Sequence, residues 1–238
     1  MNTLTILGLG SIVPCFLVVY FIYKLDDFQE PLHRMILAFI LGIFSPLITL
    51  QISGALDFGF TSESHPWLHA LLMAAIPEEC GKLLILAYIA WRWKDVREPF
   101  DLLVYASAVW SGFSACENFL YSLGELADEK SPLWLLATRS TLCTLAHISW
   151  GLIIGAYVAI ARFTQENTLS WISRGLFLSV VLHFLYDGLL MSAKGSDYVY
   201  LNIGLAAGID LITLFIAFIF LIRIEKLQGL ARYEGHEV

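Results

Sequence analysis

The stretch WLHALLMAAIPEECGKLLILAYIAW, residues 67–91, decides the fold class. It is a mostly apolar run, long enough to cross a bilayer, for which about 20 residues suffice. Three ionisable side chains, Glu78, Glu79 and Lys82, lie near its middle. A charge in hydrocarbon costs several kcal/mol, so such groups face the interior of a helix bundle and mark a functional site. The stretch therefore predicts a transmembrane helix that carries part of such a site.

The composition of the whole chain also indicates a membrane protein. Of its 238 residues, 58% are hydrophobic and 15% are charged, which is typical of a multi-pass membrane protein. Seven apolar runs are long enough to span, at 3–23, 35–55, 67–91, 102–123, 133–161, 170–192 and 198–222. The fifth is longer than the bilayer requires and is expected to tilt, kink or emerge. We predict an all-α bundle of about seven transmembrane helices, with one domain over 1–223 and an exposed polar cytoplasmic tail over 224–238.

The positive charges predict the orientation. Lys130 and Lys194 are the two lysines or arginines on the side of the N-terminus, whereas ten lie on the other side. By the positive-inside rule the N-terminus is outside and the C-terminus is cytoplasmic. Of the two remaining, Lys82 belongs to the polar group above, and Arg139 is expected to snorkel or to pair with a loop acid. The net charge of −7, without a basic stripe, argues against a nucleic-acid partner and leaves the lipid bilayer as the surroundings.

Three further spans carry polar side chains at comparable depth. Glu117 and Asn118 lie in the fourth run, His147 in the fifth, and His183 with Asp187 in the sixth. At about 1.5 Å per residue, the ionisable groups lie roughly 8–22 Å from the outer ends of their helices, so they can share one layer. His183 and Asp187 are four residues apart and share a helix face, as do Glu78 and Lys82, and Phe113 and Glu117.

This set of side chains fits hydrolysis by activated water. Lys82 can neutralise one of the two adjacent glutamates, which leaves the other as a general base. His183, held by Asp187, could donate to a developing oxyanion. A divalent metal such as Zn²⁺ is the alternative source of the attacking water. Its candidate ligands are Glu79, Glu117, His147 and His183. The residue pattern does not separate these two mechanisms, and each pair could also be structural.

In order and spacing these motifs resemble the PrsW-type intramembrane proteases, relatives of the CAAX-processing and Abi membrane peptidases. The resemblance rests on Glu78-Glu79-x-x-Lys82, Phe113-x-x-x-Glu117-Asn118, His147 and His183-x-x-x-Asp187, and it runs from the first loop to about Gly188. It implies an endopeptidase of the bacterial plasma membrane, in which Glu78 activates water and Glu79 supports it. The implied substrate is a single-span membrane protein, such as an anti-sigma factor, cut outside the cytoplasm.

Two positions depart from the CAAX pattern. CAAX enzymes usually have histidine at the position of Glu117 and asparagine at that of Asp187, and the additional acids favour a metal. We therefore predict that Asp187 orients His183. The predicted catalytic residues are Glu78, Glu79, Glu117, His147, His183 and Asp187, and the predicted supporting residues are Lys82, Phe113 and Asn118.

Two other functions remain open at this point. Acids and histidines at the midplane also build the proton relays of proton- or cation-coupled transporters. However, the chain has neither an inverted repeat nor paired helices broken by glycine or proline. The other alternative is a non-catalytic scaffold or immunity protein of the same fold.

Overall fold

The computed structural model describes residues 2–128, 131–164, 167–193 and 196–233, in which every regular element is helical. The α-helices are α1 Thr3–Lys24, α2 Leu32–Ala55, α3 Pro66–His69, α4 Ile76–Arg92, α5 Pro99–Ala127, α6 Pro132–Thr138, α7 Thr144–Thr164, α8 Thr168–Ala193 and α9 Val199–Tyr233. Two π-helical segments, π1 Ala70–Ala75 and π2 Arg139–Cys143, join α3 to α4 and α6 to α7. The all-α prediction is confirmed. Lys130, Lys194 and residues 234–238 of the predicted tail lie outside the described residues.

The helices form a bundle that suits a multi-pass membrane protein. Among the described residues, five helical segments are long and apolar enough to cross a bilayer, namely Thr3–Lys24, Leu32–Ala55, Pro132–Thr164, Thr168–Ala193 and Val199–Lys226. The α3–π1–α4 segment and α5 also run as long helices, but they carry the polar residues of the third and fourth predicted spans. Helix α5 is buried on all faces between Phe100 and Ala115, so the other helices shield it from the lipid.

Helix α5 lies at the centre of the bundle and contacts α1, α2 and α7. Its contact with α2 is very close at a pair of glycines. A Cβ atom on Gly112 would lie 2.0 Å from the carbonyl oxygen of Phe39, and one on Gly42 would lie 2.2 Å from that of Val109. Glycine is therefore required at both positions, as is common where membrane helices pack backbone against backbone. We call this contact the α2–α5 seam.

The last helix differs from the sequence prediction. Helix α9 continues to Tyr233, beyond the predicted domain boundary at residue 223, and Ile224 and Gln228 are buried. The Gln228 side-chain oxygen accepts a hydrogen bond of 3.0 Å from the backbone N–H of Phe100, in the first turn of α5. The first N–H groups of a helix lack partners within it, and Gln228 supplies one. The expected exposure of this segment is thus wrong for Ile224 and Gln228.

The two π-helical segments lie directly before site residues. Segment π1 ends at Ala75, three residues before Glu78, and π2 ends at Cys143, four residues before His147. A π turn inserts one extra residue into a helix and is frequent at functional sites, because it rotates the side chains that follow. The fifth predicted span, expected to tilt, kink or emerge, contains such an interruption.

Candidate active site

Glu79 is the most constrained acid of the site. Lys82 Nζ donates to its Oε1 at 2.7 Å, and Trp110 Nε1 donates to its Oε2 at 2.9 Å. His183 Nδ1 lies 3.0 Å from Oε1. Glu79 and Lys82 are completely buried. Glu79 is therefore held by three donors and joins α4, α5 and α8 at one point.

Glu78 differs from Glu79 in its hydrogen bonds and in its exposure. It lies on the wall of a cavity of about 350 Å³ and is 8% exposed. Its Oε2 accepts no hydrogen bond from a described residue. The nearest cationic atoms, Lys82 Nζ at 3.7 Å and His183 Nε2 at 3.8 Å, are beyond hydrogen-bonding distance. Of the two adjacent glutamates, Glu78 is the one that lines the cavity, and its Oε2 is not engaged in a hydrogen bond with a described residue.

Glu117 lies across the same cavity and pairs with Arg139 of π2. Arg139 Nη2 lies 2.8 Å from Glu117 Oε2, and Arg139 Nε donates to Asn118 Oδ1 at 3.2 Å. The guanidinium group also lies 4.0 Å from the centre of the Tyr121 ring, a cation–π contact. The expectation that Arg139 snorkels or pairs with a loop acid is wrong, because its partner is an acid within a predicted span. The signal in the sequence was an uncompensated Glu117 in the preceding span.

His147 contacts both Lys82 and Glu117. Its Nδ1 lies 3.3 Å from Lys82 Nζ, and its Nε2 lies 3.0 Å from Glu117 Oε2. A lysine ammonium group can only donate, so Nδ1 accepts and Nε2 carries the proton that Glu117 accepts. The partners thus assign a neutral tautomer to His147.

His183 lies between two carboxylates. Its Nδ1 contacts Glu79, and its Nε2 lies 3.2 Å from Asp187 Oδ2. The ring stacks on Trp150 with centroids 4.1 Å apart and planes 13° apart. It can donate to both acids only as an imidazolium ion. Asp187 therefore lies where it can orient His183, and donation from Nε2 to an oxyanion would compete with Asp187.

The predicted supporting residues lie behind this layer. The ring centre of Phe113 is 4.2 Å from Lys82 Nζ. Asn118 is fully buried, and its amide group donates to Thr144 Oγ1 at 3.1 Å. Sequence analysis did not assign Trp110, Trp150 or Arg139 to the site. Tryptophans located deep in a span, away from the interface they usually prefer, were the available signal.

One group of site residues fits a divalent metal. Glu78, Glu117 and His147 each offer a ligand atom, and these three atoms lie within 4.8 Å of one another. Carboxylate oxygen and imidazole nitrogen are ligands that zinc takes in catalytic sites. The unpartnered Glu78 oxygen agrees with this assignment. Glu117 and His147 were among the predicted ligands. Glu79 and His183, the other two predicted ligands, do not belong to this group. A metal on His147 Nε2 would replace the proton that this nitrogen shares with Glu117.

Comparison with known proteins identifies the family of the chain. The profile described as "PrsW family intramembrane metalloprotease" matches residues 30–222. The protein named "Protease PrsW" of Shouchella clausii (strain KSM-K16) is 26% identical over 233 residues, which cover 95% of this chain and 98% of that protein. The "Protease PrsW" of Bacillus subtilis (strain 168) is 26% identical over 193 residues, or 80% of this chain and 84% of the relative.

A third relative is similar over a comparable length. The "Protease PrsW" of Clostridioides difficile (strain 630) is 25% identical over 190 residues, or 78% of this chain and 79% of the relative. No solved structure matches the chain. The matched segment contains every residue of the candidate site, from Glu78 to Asp187. The chain belongs to the PrsW family of intramembrane metalloproteases.

Proposed function

We propose that this membrane-embedded protease hydrolyses a peptide bond of a single-span membrane protein, such as an anti-sigma factor, at the cavity lined by Glu78. The observation that carries the proposal is the position of Glu78, which lines a cavity of about 350 Å³ close to Glu117 and His147 and has an oxygen that accepts no hydrogen bond from a described residue. Glu78 activates the attacking water, and Glu79 holds the surrounding helices together.

The remaining site residues would divide the other tasks of amide hydrolysis. Glu78 accepts the proton of the attacking water and can pass it to the leaving amine. Arg139 and Lys82 supply positive charge near the developing oxyanion in surroundings of low dielectric constant. Glu117 and His147, with Glu78, would hold a divalent metal, which when bound supplies Lewis acidity and an activated water. Glu78 is essential in either case.

The position of the cavity supports cleavage on the predicted outer side. Ser62, in the connection between α2 and α3, lies on the cavity wall, as do Leu190 and Met191 near the end of α8. The distribution of lysine and arginine assigns both of these chain segments to the outside. A substrate would then enter the site from the outer half of the membrane.

The decisive test is Glu78→Gln in the purified full-length protein. Wild type and variant are reconstituted with a panel of tagged single-span proteins, anti-sigma factors among them, and cleavage is followed on gels. Glutamine keeps the size of the side chain but accepts no proton, so we expect turnover to fall by at least about 10²-fold. Glu63→Gln, a change to an exposed glutamate of the α2–α3 connection, is the matched control and should cleave normally.

The outcomes of this test separate the alternative functions. Cleavage at the wild-type rate by Glu78→Gln would refute the proposed role of Glu78. If the wild type cleaves no member of the panel, a non-catalytic or transport role is favoured. Elemental analysis of the same preparations addresses the metal, since Glu117→Gln and His147→Ala should both lower the metal content if these residues are ligands.

The orientation is tested by reporter fusions. Fusions after Lys130 and Lys194 should read as external, and fusions after Lys94 and at the C-terminus as cytoplasmic, because of the ten-to-two distribution of positive charges. A cytoplasmic signal after Lys194 would contradict the predicted orientation and, with it, cleavage on the outer side.

A further inference from the structure

The segment that precedes π1 contributes to the wall of the active-site cavity. Ser62, in the α2–α3 connection, and His69, the last residue of α3, line the cavity together with Glu78. His69 and Glu78 are nine residues apart, or about 2.5 turns of an uninterrupted α-helix, in which they would point in opposite directions. Segment π1 lies between them and has wider turns, so the two side chains can face one cavity.

Helix α3 is held against α8, which fixes the position of His69. The Trp67 ring packs edge-on against the Phe184 ring, with centroids 5.4 Å apart. It also covers Gly188 so closely that a Cβ atom there would lie 2.2 Å from a carbon of the ring. His69 is two residues from Trp67, so its backbone is already in place before a substrate arrives.

One ring nitrogen of His69 is bound within the protein and the other is not. Nδ1 lies 3.0 Å from the backbone carbonyl oxygen of Phe60. A carbonyl oxygen can only accept, so Nδ1 carries the proton, and in the neutral ring Nε2 is an acceptor. Nε2 forms no hydrogen bond with a described residue, and it is not buried. It is therefore an accessible acceptor on a residue of the cavity wall.

Cleavage within a membrane requires acceptors of this kind. A substrate helix satisfies its own backbone N–H groups, but the segment that enters the site has to unwind. Its N–H groups then need new partners, because the bilayer core offers no water. Along the helix axis His69 lies about 13 Å from Glu78, and an extended chain advances about 3.3–3.6 Å per residue. His69 can thus reach the substrate about four residues from the bond that is cleaved.

We propose that His69 Nε2 accepts a hydrogen bond from a backbone N–H group of the unwound substrate, about four residues from the cleaved bond. The inference rests on the proposed function, because it assigns a substrate-binding residue to the same cavity. Since a backbone group is recognised, the contact does not depend on the side chains of the substrate. Single-span proteins of different sequence can therefore use it.

The test compares two changes that each keep one nitrogen position of the ring. In His69→Asn the amide group can still donate to Phe60, but nothing replaces Nε2. In His69→Gln the amide oxygen can take the place of Nε2. Both changes are made in the full-length Glu78→Gln protein, which is expected to bind without cleaving. Binding of the fluorescently labelled single-span proteins of the panel is titrated in detergent.

The two changes should differ in affinity. We expect the Kd to rise roughly tenfold for His69→Asn and less than about threefold for His69→Gln, because only the first leaves the substrate N–H group without an acceptor. His69→Ala, which lacks both positions, should bind at least as weakly as His69→Asn. His33→Asn, a change to an exposed histidine at the start of α2, is the control and should leave the Kd unchanged.

Unfolding of each variant in detergent identifies a folding defect. The proposal is overturned if the Glu78→Gln parent binds no member of the panel, or if a folded His69→Asn or His69→Ala protein binds as tightly as the parent. Equal loss of affinity in His69→Asn and His69→Gln would overturn it as well. If the parent binds but the wild type cleaves nothing, the proposed proteolysis fails, whereas the difference between the His69 variants still decides the inference.

Discussion

The candidate active site and a second group of acids near the other end of α5 each gather four carboxyl groups. The second group consists of Asp26, Glu30, Glu98 and Asp101, and we call it the rim cluster. Different groups contact the acids in the two places. The first combines Glu78, Glu79, Glu117 and Asp187 with the basic side chains of Lys82, Arg139, His147 and His183. In the rim cluster, the contacts to Glu30 and Asp101 come from a hydroxyl group and backbone N–H groups. Within the bilayer a carboxylate needs a built-in counter-charge.

This contrast also explains why the two adjacent glutamates differ. The lysine and histidine contacts of Glu79 complete a buried ion pair, which leaves Glu78 as the acid with a free oxygen at the cavity. The internal cations of the candidate active site thus serve to hold the structure as well as to provide charge. The following predictions test this contrast, from the largest expected effect to the smallest.

The first prediction removes the internal counter-charge of the active site. Lys82→Met leaves Glu79 buried without its main ionic partner, and breaking a buried pair in this way costs about 3–5 kcal/mol. We expect a large drop in the free energy of unfolding, measured by denaturant titration in detergent. Lys24→Met, a change to an exposed lysine, should have little effect.

A double variant separates loss of charge balance from loss of packing. Glu79→Gln/Lys82→Met removes both charges, so it should recover part of the stability that Lys82→Met loses. If Lys82→Met is as stable as the wild type, the charge of Glu79 does not depend on Lys82, and the contrast with the rim cluster disappears.

The second prediction concerns the α2–α5 seam, which holds α5 between the two groups of acids. Gly112→Ala places a methyl group against the backbone of α2, and overpacking of this kind typically costs about 1–3 kcal/mol. Gly124→Ala is the matched control on the same helix, because nothing lies within 4 Å of the added Cβ. It should be neutral or slightly stabilising.

Cleavage should respond to the seam as well. Displacing α5 moves Glu117, so Gly112→Ala should also weaken cleavage. Equal stability of Gly112→Ala and Gly124→Ala would show that the α2–α5 seam accommodates the added methyl group without a loss of stability.

The third prediction addresses the arginine that sequence analysis did not assign to the site. Arg139→Lys keeps the positive charge but loses the fork that contacts both Glu117 and Asn118. We expect kcat/KM for the cleaved substrate to fall roughly tenfold, about 1.4 kcal/mol of activation free energy, with little change in stability. Arg174→Lys, a change to an exposed arginine on α8, is the control. Unchanged cleavage by Arg139→Lys would indicate that charge alone matters at this position.

Much of the fold could be predicted because a membrane-spanning helix is a continuous run of apolar residues in the sequence. Length and apolarity alone indicated long helices near 3–23 and 35–55, and the structure has Thr3–Lys24 and Leu32–Ala55. The four-residue spacing of His183 and Asp187 predicted a shared face, and their side chains lie 3.2 Å apart. Interruptions such as π1 and π2 have no comparable signal, because a π turn depends on the packing of neighbouring helices.

The sequence by itself determined an all-α membrane bundle and a set of acids, histidines and a lysine at a common depth. It did so because helical periodicity and the cost of charge in hydrocarbon act along the chain. Only the tertiary structure decided which oxygen of which glutamate is free. His183 and Glu79, whose contact completes the binding of Glu79, are 104 residues apart, and Arg139 reaches Glu117 from another helix. Whether the charge of a carboxylate group is neutralised depends on residues that are distant in the sequence. Helical spacing does not predict such contacts.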